Sequence, residues 1–244
     1  MSEEAGAAQP MGELDRLVGV LFDPKPVFAD IATKPRWWIP LILLTVLIVS
    51  FTFAFSKRVG WEGFMRQELE MSSRTRNLPA EQKERILEQQ MRFVPIFAQV
   101  QAGLAFGLIA LVVAAVFLFV FNILAGAELG FKAAWGVTCY AFLPQVFGIL
   151  LAIAVLFLKD PADFDLRNPV ASNLAAFLDP STTPAWLFGL AASLDIFVVW
   201  VLLLLATGFS AAARKLSWWR SLTWVTASWI VWVAVKCGWI WIWS

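Results

Sequence analysis

The 244-residue chain is 60% hydrophobic and 15% charged, with 14 Trp and a mean hydropathy of +0.72, whereas soluble domains hold about 45–50% apolar and about 25% charged residues. A net charge of +1 excludes the basic footprint of a nucleic-acid binder. The absence of histidine removes the commonest general base and a common metal ligand.

The polar start, Met1 to Met11, leads into no short apolar core with a small-residue cleavage pattern, so no cleavable signal peptide is expected. Leu14, Leu17, Val18, Leu21 and Phe22 recur at helical spacing opposite Glu13, Asp15 and Arg16, up to Asp23 and Pro24. Pro26 opens a second short amphipathic helix, with Val27, Phe28 and Ile31 as its stripe, ending before Lys34, Pro35 and Arg36. Two placements stay open for these helices: flat on the cytoplasmic membrane surface, or packed on the helix bundle.

A span needs about 20 mainly apolar residues, and five runs qualify: 37–55, 96–125, 133–158, 185–209 and 222–243. The chain thus reads as all-α, a polytopic bundle of five transmembrane helices behind an N-terminal tail of residues 1–35 with interfacial helices. Trp37 and Trp38 open the first span at the interface and Lys57 and Arg58 close it. The hydrophilic stretch to Arg92 predicts a solvated helix from about Ala80, with a kink at Pro95 where it meets the second span. In the second span Gly103 and Gly107, continued by Ala110 and Ala114, form a small-residue stripe suited to close packing inside the bundle, or to a dimer seam.

Asn122 precedes a tight turn through Gly126, Glu128, Gly130 and Lys132, which makes the second and third spans antiparallel neighbours. Tyr140, Pro144 and Gln145 interrupt the third span, predicting a proline kink or a small cavity. The next loop, residues 159–184, is acidic. Cys139 and Cys237 both fall in spans without paired spacing, which supports neither a disulfide framework nor a zinc site. Cationic residues Arg214, Lys215 and Arg220 divide the last two spans. Counting Lys and Arg by loop favours a cytoplasmic N-terminus and an external C-terminus, against the basic content of the first long loop.

Two charges interrupt these last runs. Asp195 lies about 15 Å along a helix from Ala185, near mid-bilayer if the run is one helix. Lys236, on an antiparallel neighbour, differs from it in depth by about 4–5 Å, so a direct ion pair is feasible. Alternatively Lys236 extends outward past Trp239, Trp241 and Trp243 while Asp195 binds Asn122, Gln145 or a hydroxyl. The polar set Asp195, Lys236, Asn122, Gln145 and Tyr140, with Gly103, Gly107, Pro144 and Trp200 as packing positions, contains no nucleophile beside a base, no metal set and no phosphate-cradling loop. No catalytic, cofactor or metal residues are expected.

The order of several short pieces resembles the Ypt-interacting-protein (Yip) family, in its bacterial branch, over most of the chain from about Leu14. The pieces are Val20 to Pro24 with Phe28 and Ile31 before Pro35, Arg36 and Trp37; Gly126 to Lys132; Tyr140 to Pro144; and Leu194 to Phe197 with Trp200 and Gly208. The resemblance implies a five-span inner-membrane protein that is not an enzyme, with a cytoplasmic N-terminus and no cofactor. Its partners would be the lipid bilayer and other membrane proteins or further copies of itself. Eukaryotic relatives act as adaptors for Rab-type GTPases; this chain departs from them in its short N-terminal tail and long first loop, which puts GTPase binding in doubt. The competing functional reading is a small transporter, channel or lipid-moving protein built on a polar cavity around Asp195, Gln145, Asn122 and Tyr140.

Overall fold

The computed structural model describes residues 11–72, 75–179, 182–213 and 216–243, and within these the regular structure is helical. Arg214 and Lys215 of the expected cationic turn, and Arg74 of the first loop, lie outside the described residues. Eleven α-helices are described: α1 (Glu13–Phe22), α2 (Pro24–Thr33), α3 (Trp38–Arg58), α4 (Glu62–Met71), α5 (Ala80–Met91), α6 (Val94–Phe119), α7 (Phe131–Ala141), α8 (Gln145–Leu158), α9 (Ala185–Ser193), α10 (Ile196–Ala212) and α11 (Trp218–Trp243). A π-helical turn, Val120–Leu124, extends α6.

By length and composition, four helical segments can cross a membrane: Trp38–Arg58, Val94–Leu124, Phe131–Leu158 and Trp218–Trp243. The run expected as a fourth continuous span, 185–209, is instead two helices, α9 and α10, with Leu194 and Asp195 between them in non-helical conformations. Within Phe131–Leu158, α7 and α8 are joined by a turn at Phe142, Leu143 and Pro144 that carries i to i+3 hydrogen bonds, as expected where proline lacks an N–H.

The core forms where α2, α6, α7, α10 and α11 meet, around Phe28, Phe121, Val137, Tyr140 and Phe209. Phe117, Phe121 and Phe209 form an aromatic cluster with centroids 4.9–6.1 Å apart. The two N-terminal stripes part company here. Val27, Phe28 and Ile31 of α2 are buried in this core, so that stripe packs on the bundle. In α1 the buried pair is Arg16 and Val20, while Leu14, Val18 and Phe22 are 76%, 57% and 80% exposed. An apolar stripe is turned outward and an arginine inward.

Close packing uses glycines other than those the four-residue spacing suggested. A Cβ on Gly103 or Gly107 would meet nothing within 4 Å, because the packed row of α6 is Ala102, Phe106, Ala110 and Ala114, one step round the helix. Neither glycine mediates an approach among the described residues. At Gly208 a Cβ would stand 2.5 Å from Val137 and 2.9 Å from Phe28, and at Gly189 it would stand 2.8 Å from Ile240. These two positions let α10 meet α2 and α7, and α9 meet α11.

The loops after α3 and after α8 share one end of the bundle. Arg58 donates to the carbonyls of Leu156 (2.7 Å) and Phe157 (2.9 Å) at the end of α8, where a cation complements the helix dipole. Arg167 bonds Glu68 of α4, and Phe164 packs on Phe51 and Phe55.

Candidate functional site

The break between α9 and α10 is built by two oppositely charged residues, each serving one helix end. Asp195 takes the N-cap of α10 with extended backbone, φ −106° and ψ 142°, and its Oδ1 accepts from the N–H groups of Phe197 (2.8 Å) and Val198 (3.3 Å). A carboxylate suits this place because a helix leaves its first N–H groups unpaired and its N-terminus partly positive. Lys236 serves the other end: Nζ donates to Ser193 Oγ (2.8 Å) and to the Gly189 carbonyl (3.2 Å), where α9 runs out. A cation at a helix C-terminus is the complementary arrangement.

The loop before α9 completes the break. Asn173 and Asp195 form an isolated antiparallel bridge, the Ile196 N–H donates to the Ser172 carbonyl (3.1 Å), and the Ser172 hydroxyl donates to Asp195 Oδ2. Asn168 and Asn173 exchange amide hydrogen bonds that hold this segment in register. Backbone freed by the helix break is thus satisfied by protein, as membrane depth requires.

This geometry revises the depth of both charges. With 17 residues, α10 alone is about 25 Å long against a hydrocarbon core about 30 Å thick. Lys236 lies about 27 Å beyond the start of α11 by the same rise. Measured from the turn that joins α10 to α11, both charges stand past the middle of such a core, toward the opposite boundary. Trp239, Trp241 and Trp243 follow Lys236 with their rings exposed, as interfacial aromatics do. Among the described residues no Lys or Arg nitrogen lies within 4 Å of the Asp195 carboxylate, Lys236 included.

Between α3, α8 and this break lies a crevice of about 320 Å³ that brings Asp195 and Gln145 together, with Ser172 and Arg167 toward the loop and Phe51 and Phe197 among its apolar walls. Trp200 stacks on Phe147 beside it, with centroids 5.8 Å apart and planes 5° from parallel. Asn122 and Tyr140 lie elsewhere. Asn122 clasps the backbone of Leu129 from both sides, Nδ2 donating to its carbonyl (3.0 Å) and Oδ1 accepting from its N–H (2.7 Å), and so closes the turn around Gly126, whose φ is +67°. Tyr140 donates to Glu13 Oε2 (3.2 Å).

That last contact belongs to a second polar cluster that the residue spacing did not reveal. Arg16 is 1% exposed and is paired with Asp30 and, at 3.8 Å, with Glu13; Glu13 also pairs with the exposed Arg36 at 3.0 Å. Two cations and two carboxylates therefore tie α1, α2, the approach to α3 and α7 together. The sequence signal for the helix break was present: Asp195 before the apolar run Ile196 to Val199 is a helix-start pattern. No local pattern marks Arg16 as buried, since its partner Asp30 stands on a separate helix.

No curated protein and no solved structure matches this chain. The Yip1 domain matches residues 18–242, which takes in α2, both sides of the helix break and nearly all of α11. With apolar helices long enough to cross a bilayer in the same residues, the chain is a multi-pass membrane protein and belongs to the Yip1 domain family.

Proposed function

We propose that this is a non-enzymatic, membrane-organising adaptor of the Yip type, which binds other membrane proteins through its N-terminal helices. The observation that carries this reading is α1. Arg16 anchors its polar side to α2 through Asp30, and Glu13 anchors it to α7 through Tyr140, leaving Leu14, Val18 and Phe22 turned away from the bundle as a ready contact for the interface and for a neighbouring protein in it. Residues 1–35 act as the presenting segment and residues 36–244 as the five-span domain, in which α9 and α10 together make the fourth crossing. The chain sits in the inner membrane, as in the bacterial branch of the family, with its N-terminus cytoplasmic and its C-terminus outside.

The transporter, channel or lipid-moving reading has a narrower basis: Asp195 and Gln145 share one crevice, but Asn122 and Tyr140 are outside it. The adaptor reading is tested by placing a photo-crosslinking residue at Val18, with Trp219 as a control position. A defined membrane-protein adduct specific to position 18 supports it, whereas adducts to lipid alone would remove it.

A further inference from the structure

We propose that the crevice at the α9–α10 break binds a primary ammonium group. Three observations converge. First, Asp195 brings a full negative charge to the crevice, and its three hydrogen bonds come from neutral donors, two N–H groups and the Ser172 hydroxyl. No Lys or Arg nitrogen among the described residues lies within 4 Å of that carboxylate, and Arg167, which lines the same crevice, is joined to Glu68. A partly buried carboxylate facing a crevice favours a cationic partner there.

Second, Gln145 lines the same crevice, and its side-chain amide makes no hydrogen bond to the described residues. Its Oε1 adds a neutral acceptor to the crevice that the carboxylate lines. Three N–H donors on one small cation match a carboxylate, an amide oxygen and the remaining acceptor capacity of Ser172. A divalent metal ion is a poor fit, because among the described residues no group of three or more Cys, Asp or Glu side chains stands together to hold one. A quaternary ammonium has no N–H to give.

Third, the walls suit a cation on an apolar or amphipathic stem. Phe51 and Phe197 face the crevice, and Arg167, joined to Glu68, stands toward the loop. Along α10 the site lies past mid-bilayer toward one membrane boundary, with Phe51 in its wall about 10 Å inside the end of α3, and lipid headgroups on that side carry an ammonium and a phosphate. The two sources of this chemistry are an aminophospholipid headgroup and a free soluble amine. The inference does not rest on the adaptor reading, and its test contains no protein partner.

The test uses the full chain, delipidated in detergent, with bound species counted by intact-complex mass spectrometry. The probes are phosphatidylethanolamine, phosphatidylcholine with the same acyl chains, and ethanolamine. Wild type is expected to retain phosphatidylethanolamine over phosphatidylcholine by about tenfold, equivalent to about 1.4 kcal/mol. Asp195→Asn should abolish the preference, because asparagine keeps the Oδ1 acceptor that caps α10 and removes the charge, the Ser172 hydroxyl turning to accept from the new amide. Gln145→Leu should reduce it about threefold, and Glu84→Gln, in the solvated hairpin away from the crevice, should leave it unchanged. If ethanolamine binds alone and displaces the lipid, the ammonium site stands with a soluble amine as its source; if only the lipid binds, the source is the headgroup. Equal retention of both lipids with no ethanolamine binding overturns the proposal, as does a preference that survives Asp195→Asn. Should Asp195→Asn fail to fold, Gln145→Leu, which breaks no internal hydrogen bond, decides: an undiminished preference overturns the proposal.

Discussion

Lys236 and Asp195 act on one helix break without touching: the ammonium closes the end of α9 through Ser193 and Gly189, and the carboxylate opens α10 through Phe197 and Val198. Their charges complement two helix dipoles rather than each other. Asp195→Asn and Lys236→Leu should therefore add within about 0.3–0.5 kcal/mol in a double-mutant cycle read by thermal unfolding in detergent. A larger coupling term would indicate a direct pair.

Capping by Asp195 makes a separate prediction. Asp195→Ala removes the acceptor for two N–H groups and should lower stability by about 1 kcal/mol, whereas Asp195→Asn should cost only a few tenths. Matching melting temperatures for the two variants would show that the cap contributes nothing.

Arg16 is the buried charge whose removal should cost most. Arg16→Met leaves Asp30 without its buried cation and weakens the hold on Glu13, a loss of about 2–3 kcal/mol, below the range for fully buried pairs because both carboxylates keep some contact with water. Limited proteolysis should then cut within residues 11–33 before the spans are lost. An unchanged cleavage pattern would mean that apolar packing of α2 alone holds the segment.

The glycines can be ranked. Gly208→Ala forces a methyl against Val137 and Phe28 and should destabilise by about 1–3 kcal/mol. Gly103→Ala, pointing into open space, should be neutral or stabilise by up to about 1 kcal/mol. Thermal unfolding of the two variants side by side reads the difference, and the reverse order would refute the packing assignment.

Because Arg167 bonds Glu68 and Phe164 packs on α3, the loops after α3 and α8 face the same side. In a background with Cys139 and Cys237 replaced, cysteines at Glu88 and Asp163 should react with a membrane-impermeant reagent from one side of sealed vesicles, and a cysteine at Lys25 only from the other. Labelling of positions 88 and 163 from opposite sides would break the arrangement.

Charge networks at the solvated hairpin carry less weight. Its Arg66 guanidinium is held above its usual range by hydrogen bonds to Glu84 and then Glu62, yet the side chain is exposed. Glu84→Gln should leave the unfolding temperature of the whole chain unchanged and speed hydrogen exchange in 80–91. A shift of the global transition would show that the hairpin is coupled to the bundle.

The sequence by itself determined the membrane class, four of the helical crossings, the Pro144 bend and the family resemblance, because apolar length and proline chemistry are local properties. It also contained Asp195 before an apolar run, a cap signal masked by the surrounding hydrophobicity. Only the tertiary structure decided which glycines pack, that Arg16 lies inside while Leu14, Val18 and Phe22 lie outside, and that Asp195 meets Ser172 rather than Lys236. Those outcomes depend on which segments become neighbours. Side-chain burial in a bundle follows from the partner that fills each face, and a periodic pattern names the face but not the partner.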